Sequence, residues 1–345
     1  MNARIVTFGE ILLRLSPPGH LRLGEARSFD AFYAGGEANV AVSLVRFGLQ
    51  AVLVSRVPAG GVGEAALNFL RGHGLSTEAI LRGGERLGIY FLEHGAAQRG
   101  SQVIYDRAGS SFATLQPGQV DWRQLLSGAS WFHWTGITPA VAPGPAALCL
   151  EAVKTARELG LTVSCDLNYR AKLWKWGKPA SQVMQELVNY SNVAVANEED
   201  AEKVFGIRAP GADVSAGIVE ASHYRVVCDE LAARFPSLHT IAITLRGSLS
   251  ASHNTWSGAL WQKGEYYIGP TYDIADIVDR VGAGDSFAAG LIYGLNRFEI
   301  DPQRALNFAV AASALKHSIF GDFNQVSVEE VEALLAGNAS GRVKR

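Results

Sequence analysis

The residues best suited to chemistry lie in one segment near the end of the sequence, Asp279-Arg-Val-Gly-Ala-Gly-Asp-Ser-Phe-Ala-Ala-Gly290. The run Gly282-Ala-Gly284 has almost no side chains, so successive backbone N–H groups can point at one anion. Apolar spacing from 285 to 295 predicts a helix, whose dipole adds positive potential at its start. Asp285 would face that anion, which suits a base that deprotonates an attacking hydroxyl group.

The same segment also admits ordinary structural interpretations. A glycine-rich turn between a strand and a helix is often only a turn, and an Asp at a helix start is often only a cap. The P-loop pattern Gly-x-x-x-x-Gly-Lys-[Ser/Thr] occurs nowhere in the sequence. The dinucleotide-binding pattern does not fit, because the third glycine comes too late. Spacing alone therefore leaves a phosphate site and a plain turn both open.

This segment resembles the C-terminal signature of the ribokinase-like (PfkB) family of carbohydrate kinases, which use ATP and Mg²⁺. The resemblance implies that Asp285 is the general base and that Gly282, Ala283 and Gly284 form the anion hole for the transferred phosphoryl group. Arg280 departs from the signature, which has a small residue or Thr at this position. Arg280 could contact a nucleotide phosphate or be solvated, and the sequence favours neither.

A second segment, Ala34-Gly-Gly-Glu-Ala-Asn-Val-Ala41, matches the family near the other end of the chain. Its glycines permit close backbone approach, and Asn39 taken alone reads as a helix N-cap. The resemblance implies instead that Gly35, Gly36 and Asn39 contact substrate hydroxyl groups. Because the two signatures occur in family order, the resemblance extends over roughly residues 4–335.

Metal and nucleotide contacts are implied by weaker matches. Where the family has Asn-x-x-Glu to organise water around Mg²⁺, this chain has Asn197-Glu-Glu-Asp200, so Asp200 or Glu198 would supply the carboxylate. The alternative is a negatively charged first helical turn. The resemblance implies nucleotide contacts from Asn197, Arg246, Gly247, Gly282, Gly284 and Asn307.

The substrate class is indicated by arginine residues. Arg14 stands where sugar kinases of the family often have a sugar-binding Asp, which favours an anionic substrate. Arginine pairs with a carboxylate through two parallel hydrogen bonds. The chain resembles the branch of the family that acts on 2-keto-3-deoxygluconate, with a neutral ketohexose such as fructose as the alternative. The residues matched to that branch are Gly35, Tyr90, Tyr105, Arg107 and Arg170.

The elements that must position these residues alternate between strands and helices. Short apolar runs predict buried strands at residues 5–8, 51–57, 131–134, 162–165, 193–196 and 240–245. Helical patterns cover residues 39–47, 64–73, 145–159, 182–190, 198–205, 285–295, 302–319 and 328–335. This alternation predicts one α/β domain over residues 1–345, a three-layer α/β/α core with a mostly parallel sheet. Residues 11–34 and 87–107 break the pattern and are expected to form the family's small β lid.

The composition limits the classes of partner and the cellular location that we expect. The net charge is −2, and the only basic block is the tail at 342–345, so we expect no nucleic-acid partner. No run of about twenty apolar residues occurs, which argues against a membrane span. The three cysteines are widely separated, which favours a reducing compartment and hence the cytoplasm. We also expect a homo-oligomer assembled through the lid.

The competing enzyme class is an NAD(P)-dependent oxidoreductase. Gly61-Val-Gly-Glu-Ala-Ala66 imitates a dinucleotide-binding turn, but Pro58-Ala-Gly separates it from the preceding strand. A third class, a catalytically inactive relative, is disfavoured because Asp285 and its glycine run are intact.

Overall fold

The structure, a computed structural model, describes residues 3–210, 220–298 and 300–338; the basic tail and part of the Gly/Ala/Pro-rich loop at 208–215 lie outside them. Within these residues the strands are β1 (Arg4–Phe8), β2 (Leu12–Ser16), β3 (Asp30–Ala34), β4 (Gln50–Val57), β5 (Ile80–Arg82), β6 (Gly88–Glu93), β7 (Gln102–Asp106), β8 (Trp131–Thr135), β9 (Thr162–Asp166), β10 (Val193–Ala196), β11 (Thr240–Ser248), β12 (Asn254–Gln262), β13 (Glu265–Ile268) and β14 (Tyr272–Ile274). The helices are α1 (Gly36–Arg46), α2 (Gly61–Gly72), α3 (Trp122–Leu126), α4 (Ile137–Val141), α5 (Pro143–Glu158), α6 (Ala180–Val188), α7 (Asp200–Phe205), α8 (Arg225–Arg234), α9 (Ala283–Arg297), α10 (Pro302–Lys316) and α11 (Val328–Leu335).

Most strands form one large sheet in the order β13-β12-β11-β10-β9-β8-β1-β4-β5, with β14 paired to β12. The strands from β11 to β5 run parallel, and β12, β13 and β14 add antiparallel pairs at one end. Strand β10 has no exposed residue, as expected for a strand covered on both faces. Two apolar cores, one on each side of the sheet, confirm the three-layer architecture.

A separate four-stranded sheet, in the order β3-β2-β6-β7, confirms the predicted lid. Strand β2 pairs antiparallel with β3 and parallel with β6, and β6 pairs antiparallel with β7. Its own apolar cluster is small: Leu12, Ala34, Tyr90 and Leu92 are buried there. The lid therefore depends on contacts with the main domain as well as on its own core.

The predicted strands and helices are confirmed with end shifts of a few residues. Strands β12 and β13 and helix α8 were not predicted. Strand β12 contains a glycine and polar residues, β13 has only four residues, and polar residues interrupt the apolar ones of α8. The residues just before the glycine run are not a strand over their whole length. Strand β14 ends at Ile274, and a loop then leads into the glycine run.

Candidate active site

A cavity of about 440 Å³ lies between the large sheet and the lid. Its floor includes Asp166 at the end of β9 and Ala196 at the end of β10, as expected for ligand sites in parallel sheets. The lid contributes Tyr90 and Tyr105. The N-terminal ends of α1 and α9 also open onto the cavity, and the two sequence signatures therefore meet there.

The glycine run forms the start of α9. Gly282 has φ +84°, and a side chain there would overlap the Asp322 carbonyl oxygen, so only glycine fits this position. Among the described residues, the N–H groups of Gly282, Gly284 and Asp285 have no acceptor, whereas that of Ala283 donates to the Arg280 carbonyl oxygen at 3.3 Å. The free N–H groups and the helix dipole make this an anion-binding site.

Asp285 lies in the first turn of α9 and lines the cavity. Asn39 donates from Nδ2 to Asp285 Oδ2 at 2.6 Å. Burial raises the pKa of Asp285 to about 6, against the opposing effect of that hydrogen bond. The carboxylate is therefore mostly ionised at neutral pH and is a stronger base than an exposed Asp.

Asn39 is not an N-cap, because α1 begins at Gly36 and Asn39 lies within the helix. Its Oδ1 accepts from Gly35 N at 3.2 Å while its Nδ2 donates to Asp285, so this amide orients the Asp285 carboxylate. A side chain at Gly35 would overlap the Glu10 carbonyl oxygen, and a Cβ at Gly36 would lie 3.6 Å from Asp285 Oδ1. Gly35 is thus required for the close approach of α1 to the site, whereas a Cβ at Gly36 would make only ordinary van der Waals contacts.

The arginines predicted to bind the substrate differ in their surroundings. Arg107 is buried and forms an ion pair with Glu10, which also accepts from the Ser110 hydroxyl at 2.5 Å. Arg170 is exposed at the cavity wall; it donates to the Tyr169 carbonyl oxygen at 3.0 Å and makes no ion pair among the described residues. The charge of Arg170 is therefore available to a substrate, whereas that of Arg107 is largely neutralised.

Arg14 does not line the cavity, which corrects the expectation drawn from it. Its side chain is fully buried and forms ion pairs with Asp279 at 2.7 Å and Asp322 at 2.9 Å. Tyr90, also expected to contact the substrate, donates its hydroxyl to Asp322. Because two carboxylates neutralise Arg14, it joins the lid to the loop before α9 instead of selecting an anion.

Three carboxyl groups with buried side chains belong to the wall of the cavity. Asp166, Glu198 and Asp200 line it, and burial raises the pKa of each. Asp200 raises the pKa of Asp166 and Glu198 further. The Asp200 oxygens accept from Tyr169 N at 3.0 Å and Asn197 N at 2.9 Å. No set of three His, Cys, Asp or Glu residues in the described parts of the chain is arranged to enclose a metal by itself.

The predicted nucleotide contacts are only partly brought together. Asn197 and Arg246 line the cavity, whereas Gly247 and Asn307 do not. Asn307 lies on α10, where its Oδ1 accepts from Gln303 Nε2 at 2.8 Å. Gln303 in turn donates to the Ile268 carbonyl oxygen of β13, so this face of α10 packs against the sheet edge.

The segment that imitated a dinucleotide site has a structural role. Gly61 begins α2, and a side chain at Gly63 would overlap the Pro58 carbonyl oxygen. Neither glycine lines the cavity. The oxidoreductase interpretation is therefore wrong for this segment.

Sequence reasoning missed three acidic residues of the site. Asp166 ends a core strand, a position that could have identified it. Glu37 is buried; its Oε1 accepts from Thr135 and Thr138, and burial raises its pKa to about 7. The carboxylate of Asp322 accepts hydrogen bonds from Arg14 and Tyr90. Asp322 lies in a loop, and no neighbouring sequence pattern marks it as a site residue.

This fold, with a base at a helix start beside an anion hole and a lid above, defines a phosphotransferase that acts on a small hydroxyl substrate. The PfkB family carbohydrate kinase model matches residues 2–324. The chain belongs to this family and is an ATP-dependent carbohydrate kinase.

Relatives over the full length support the assignment. A 2-dehydro-3-deoxygalactonokinase of Haloferax volcanii is 34% identical over 342 residues, 99% of each chain. The crystal structure of a 2-dehydro-3-deoxygluconokinase of Thermotoga maritima is 47% identical with a TM-score of 0.92, covering 97% of this chain and 100% of that one. A PfkB family carbohydrate kinase of Listeria grayi is 33% identical with a TM-score of 0.87, covering 96% and 99%.

Proposed function

We propose that this enzyme phosphorylates the terminal primary hydroxyl of 2-keto-3-deoxygluconate and forms 2-keto-3-deoxy-6-phosphogluconate and ADP. The observation that carries the substrate class is Arg170, an exposed guanidinium on the wall of the cavity that holds Asp285, with no ion pair among the described residues. Two of the three relatives above are named as kinases of 2-dehydro-3-deoxy sugar acids, and 2-dehydro is synonymous with 2-keto. Both the geometry and the relatives therefore favour a carboxylate-bearing sugar.

The reaction follows from the positions of Asp285 and the start of α9. Asp285 takes the proton of the substrate hydroxyl as its oxygen attacks the γ-phosphorus of ATP, and the bond to the β-phosphate oxygen breaks. The N–H groups of Gly282, Gly284 and Asp285 hold the negative charge on the transferred group. Asn39 keeps the carboxylate of Asp285 directed into the cavity.

We propose Mg²⁺ as the metal that accompanies ATP. Asp166, Glu198 and Asp200 fit this role because their mutual repulsion in a buried site is relieved by a cation. Mg²⁺ is usually bound through one or two carboxylates, water and substrate phosphates, so no closed protein cage is required. When bound, the ion neutralises charge on the phosphates. Asn197, whose Oδ1 accepts from two backbone N–H groups, holds the Glu198–Asp200 segment in place.

A coupled assay of ADP release over a substrate panel tests the function. The panel contains 2-keto-3-deoxygluconate, its galactonate epimer and fructose. We expect both acids to be preferred over fructose by at least ten-fold, since a charge-assisted hydrogen bond contributes about 1.5–3 kcal/mol. If fructose is the better substrate, the ketohexose interpretation replaces the sugar-acid one.

Replacing Arg170 by Gln tests the carboxylate contact within the same panel. We expect KM for 2-keto-3-deoxygluconate to rise about ten- to a hundred-fold, with a much smaller change for fructose. Lys172→Gln removes an exposed charge two residues away, outside the cavity lining, and serves as the control. Equal effects of Arg170→Gln on acid and neutral sugars would contradict the assignment.

We also propose a homo-oligomer formed through the lid and a cytoplasmic location. The outer side of the lid exposes Phe29 and Ile104, with 39% and 42% of their surface accessible. Sedimentation of the parent and of Ile104→Glu tests the assembly, and an unchanged oligomer in the variant would exclude this surface. ATP as phosphoryl donor and three buried free cysteines fit the cytoplasm. No described helix is both long enough and apolar enough to span a bilayer.

A further inference from the structure

Arg280, two residues before Gly282, has its guanidinium fixed by neutral groups. Its Nη2 donates to the carbonyl oxygens of Ser250 at 3.2 Å and Ala251 at 2.5 Å. Its neighbour Asp279 is engaged by Arg14. Within the described residues, Arg280 forms no ion pair, and its Nε and Nη1 groups have no acceptor. The half-buried guanidinium of Arg280 is thus held in a fixed orientation, and its charge is free to bind an anion.

A second guanidinium adds to the positive potential at this place. Arg246 lines the same cavity as Arg280, and its ion pair with Glu198 is long, at 3.4 Å. The Nε atom of Arg246 is buried without a partner among the described residues. Burial, and next the nearby charge of Arg246, lowers the pKa of Arg280. Two like charges that face one cavity indicate that a polyanion binds between them.

We propose that Arg280 binds the β- and γ-phosphate groups of ATP, with Ser250 and Ala251 holding its guanidinium in position. The inference deepens the proposed function and rests on it only in that ATP is the phosphoryl donor. Arg280 precedes the anion hole for the transferred group, so its contacts lie on the terminal phosphates and not on the nucleoside. Arginine suits this task because its planar fork can bond two oxygens at once.

Nucleotide titrations without sugar test this contact. Calorimetry with Mg²⁺ compares the binding of ATP and of AMP, which lacks the β- and γ-phosphates. Arg280→Gln keeps a donor for the Ser250 and Ala251 carbonyl oxygens but loses the charge. We expect its Kd for ATP to rise about ten-fold or more, while the Kd for AMP stays within about two-fold. Arg280→Lys should weaken ATP binding less, because it keeps the charge without the fork.

The control is Arg304→Gln, which removes a surface ion pair with Glu332 away from the cavity. Unchanged ATP affinity in Arg280→Gln, or an equal loss for AMP, would overturn the proposal. If Arg280→Gln does not fold, Arg280→Lys provides the same test, since it must weaken the binding of ATP more than the binding of AMP. No sugar is present in these titrations, so a wrong assignment of the sugar acid leaves the result unaffected.

Discussion

Asp285 lies at the proposed catalytic position, and the burial of its ionised carboxylate lowers the stability of the folded protein. Its pKa is raised from the usual 3.8 to about 6, mainly by burial. The folded protein therefore binds more protons than the unfolded chain between these two values, and stability falls as pH rises through that range. At pH 7 the ionised group costs on the order of 3 kcal/mol.

Asp285→Asn should therefore separate activity from stability. We expect turnover to fall about 100- to 10,000-fold, because the base is lost, while the Kd for ATP stays within a few-fold. The melting temperature at pH 7 should stay equal or rise, because an amide carries no buried charge. Steady-state kinetics and thermal unfolding measure the two effects. Near-parental turnover would remove Asp285 from the mechanism.

The pH profile reports the same carboxyl group. Since Asp285 must be ionised to accept a proton, kcat/KM should decline as pH falls through about 6. An Asp with an ordinary pKa would keep activity down to about pH 4. Initial rates from pH 4.5 to 8, with a check of protein stability at each pH, distinguish the two. A flat profile down to pH 5 would show that Asp285 is less perturbed than its burial indicates.

Gly282 and Gly284 differ in whether the backbone and the surrounding space admit a side chain. Gly282 has φ +84° and no room for a side chain, whereas Gly284 is helical and open. Gly282→Ala should lose more than about 1 kcal/mol of unfolding free energy, because both conformation and space exclude a side chain. Gly284→Ala should keep or gain stability but lower turnover, since its methyl group projects at the anion site. Urea unfolding and kinetics test the pair, and equal stabilities would contradict it.

The positions of single site residues could be predicted where a short sequence motif marks them. Asp285 and the glycine run lie at the cavity, as the sequence indicated, because the turn and the helix start are encoded by adjacent residues. Their roles as base and anion hole stay predictions. The roles of Arg14 and Arg107 were not predictable, because their partners are distant in sequence. Arg14 meets Asp322 across 308 positions, and Arg107 meets Glu10 across 97. The availability of a charge depends on such partners, and nothing local to either arginine reports them.

Two polar connections are prominent among the contacts that join the lid to the main domain. Arg14 of β2 pairs with Asp279 and Asp322, beside the loop that begins α9. At the tip of the lid, Ala251 N donates to the Ala97 carbonyl oxygen at 2.7 Å. The small lid core is thus supplemented by a buried ion pair network and by backbone contact.

Arg14→Met tests this network. It leaves two buried carboxylates without a counterion, so we expect a loss of about 3–5 kcal/mol in unfolding free energy. Arg86→Met, which breaks an exposed lid ion pair with Asp106, should cost less than about 1 kcal/mol. Urea unfolding measures both variants. If the two losses are alike, the buried network does not hold the lid.

At the scale of the whole molecule, the two sheets should differ in stability. Strand β7 is an edge of the lid with alternate residues exposed, whereas β9 is paired on both sides within the large sheet. We expect amide hydrogens of β7 to exchange much faster than those of β9. ATP analogue and sugar acid together should slow exchange in β7 selectively. Equal protection of both strands in the free enzyme would contradict this expectation.

The architecture as a whole was largely predictable, because parallel sheets require apolar strands and amphipathic helices in alternation. The antiparallel end of the sheet was not. Strand β12 contains glycine and polar residues, and its pairing with β11 is specified by a turn and not by periodicity. The assembly of the lid from two separate segments, β2–β3 and β6–β7, came from the family resemblance, since residue spacing alone indicated only additional β segments.

The hydrogen bond between Asn39 and Asp285 joins parts of the chain that are synthesised far apart in time. The two residues are 246 positions apart. At about 5–20 residues per second, a ribosome needs roughly 12–50 s to pass from one to the other. A nascent chain that has already made the substrate-side signature therefore has to wait until α9 is synthesised before it contains Asp285. On the proposed mechanism, truncated products that end before α9 are expected to be inactive.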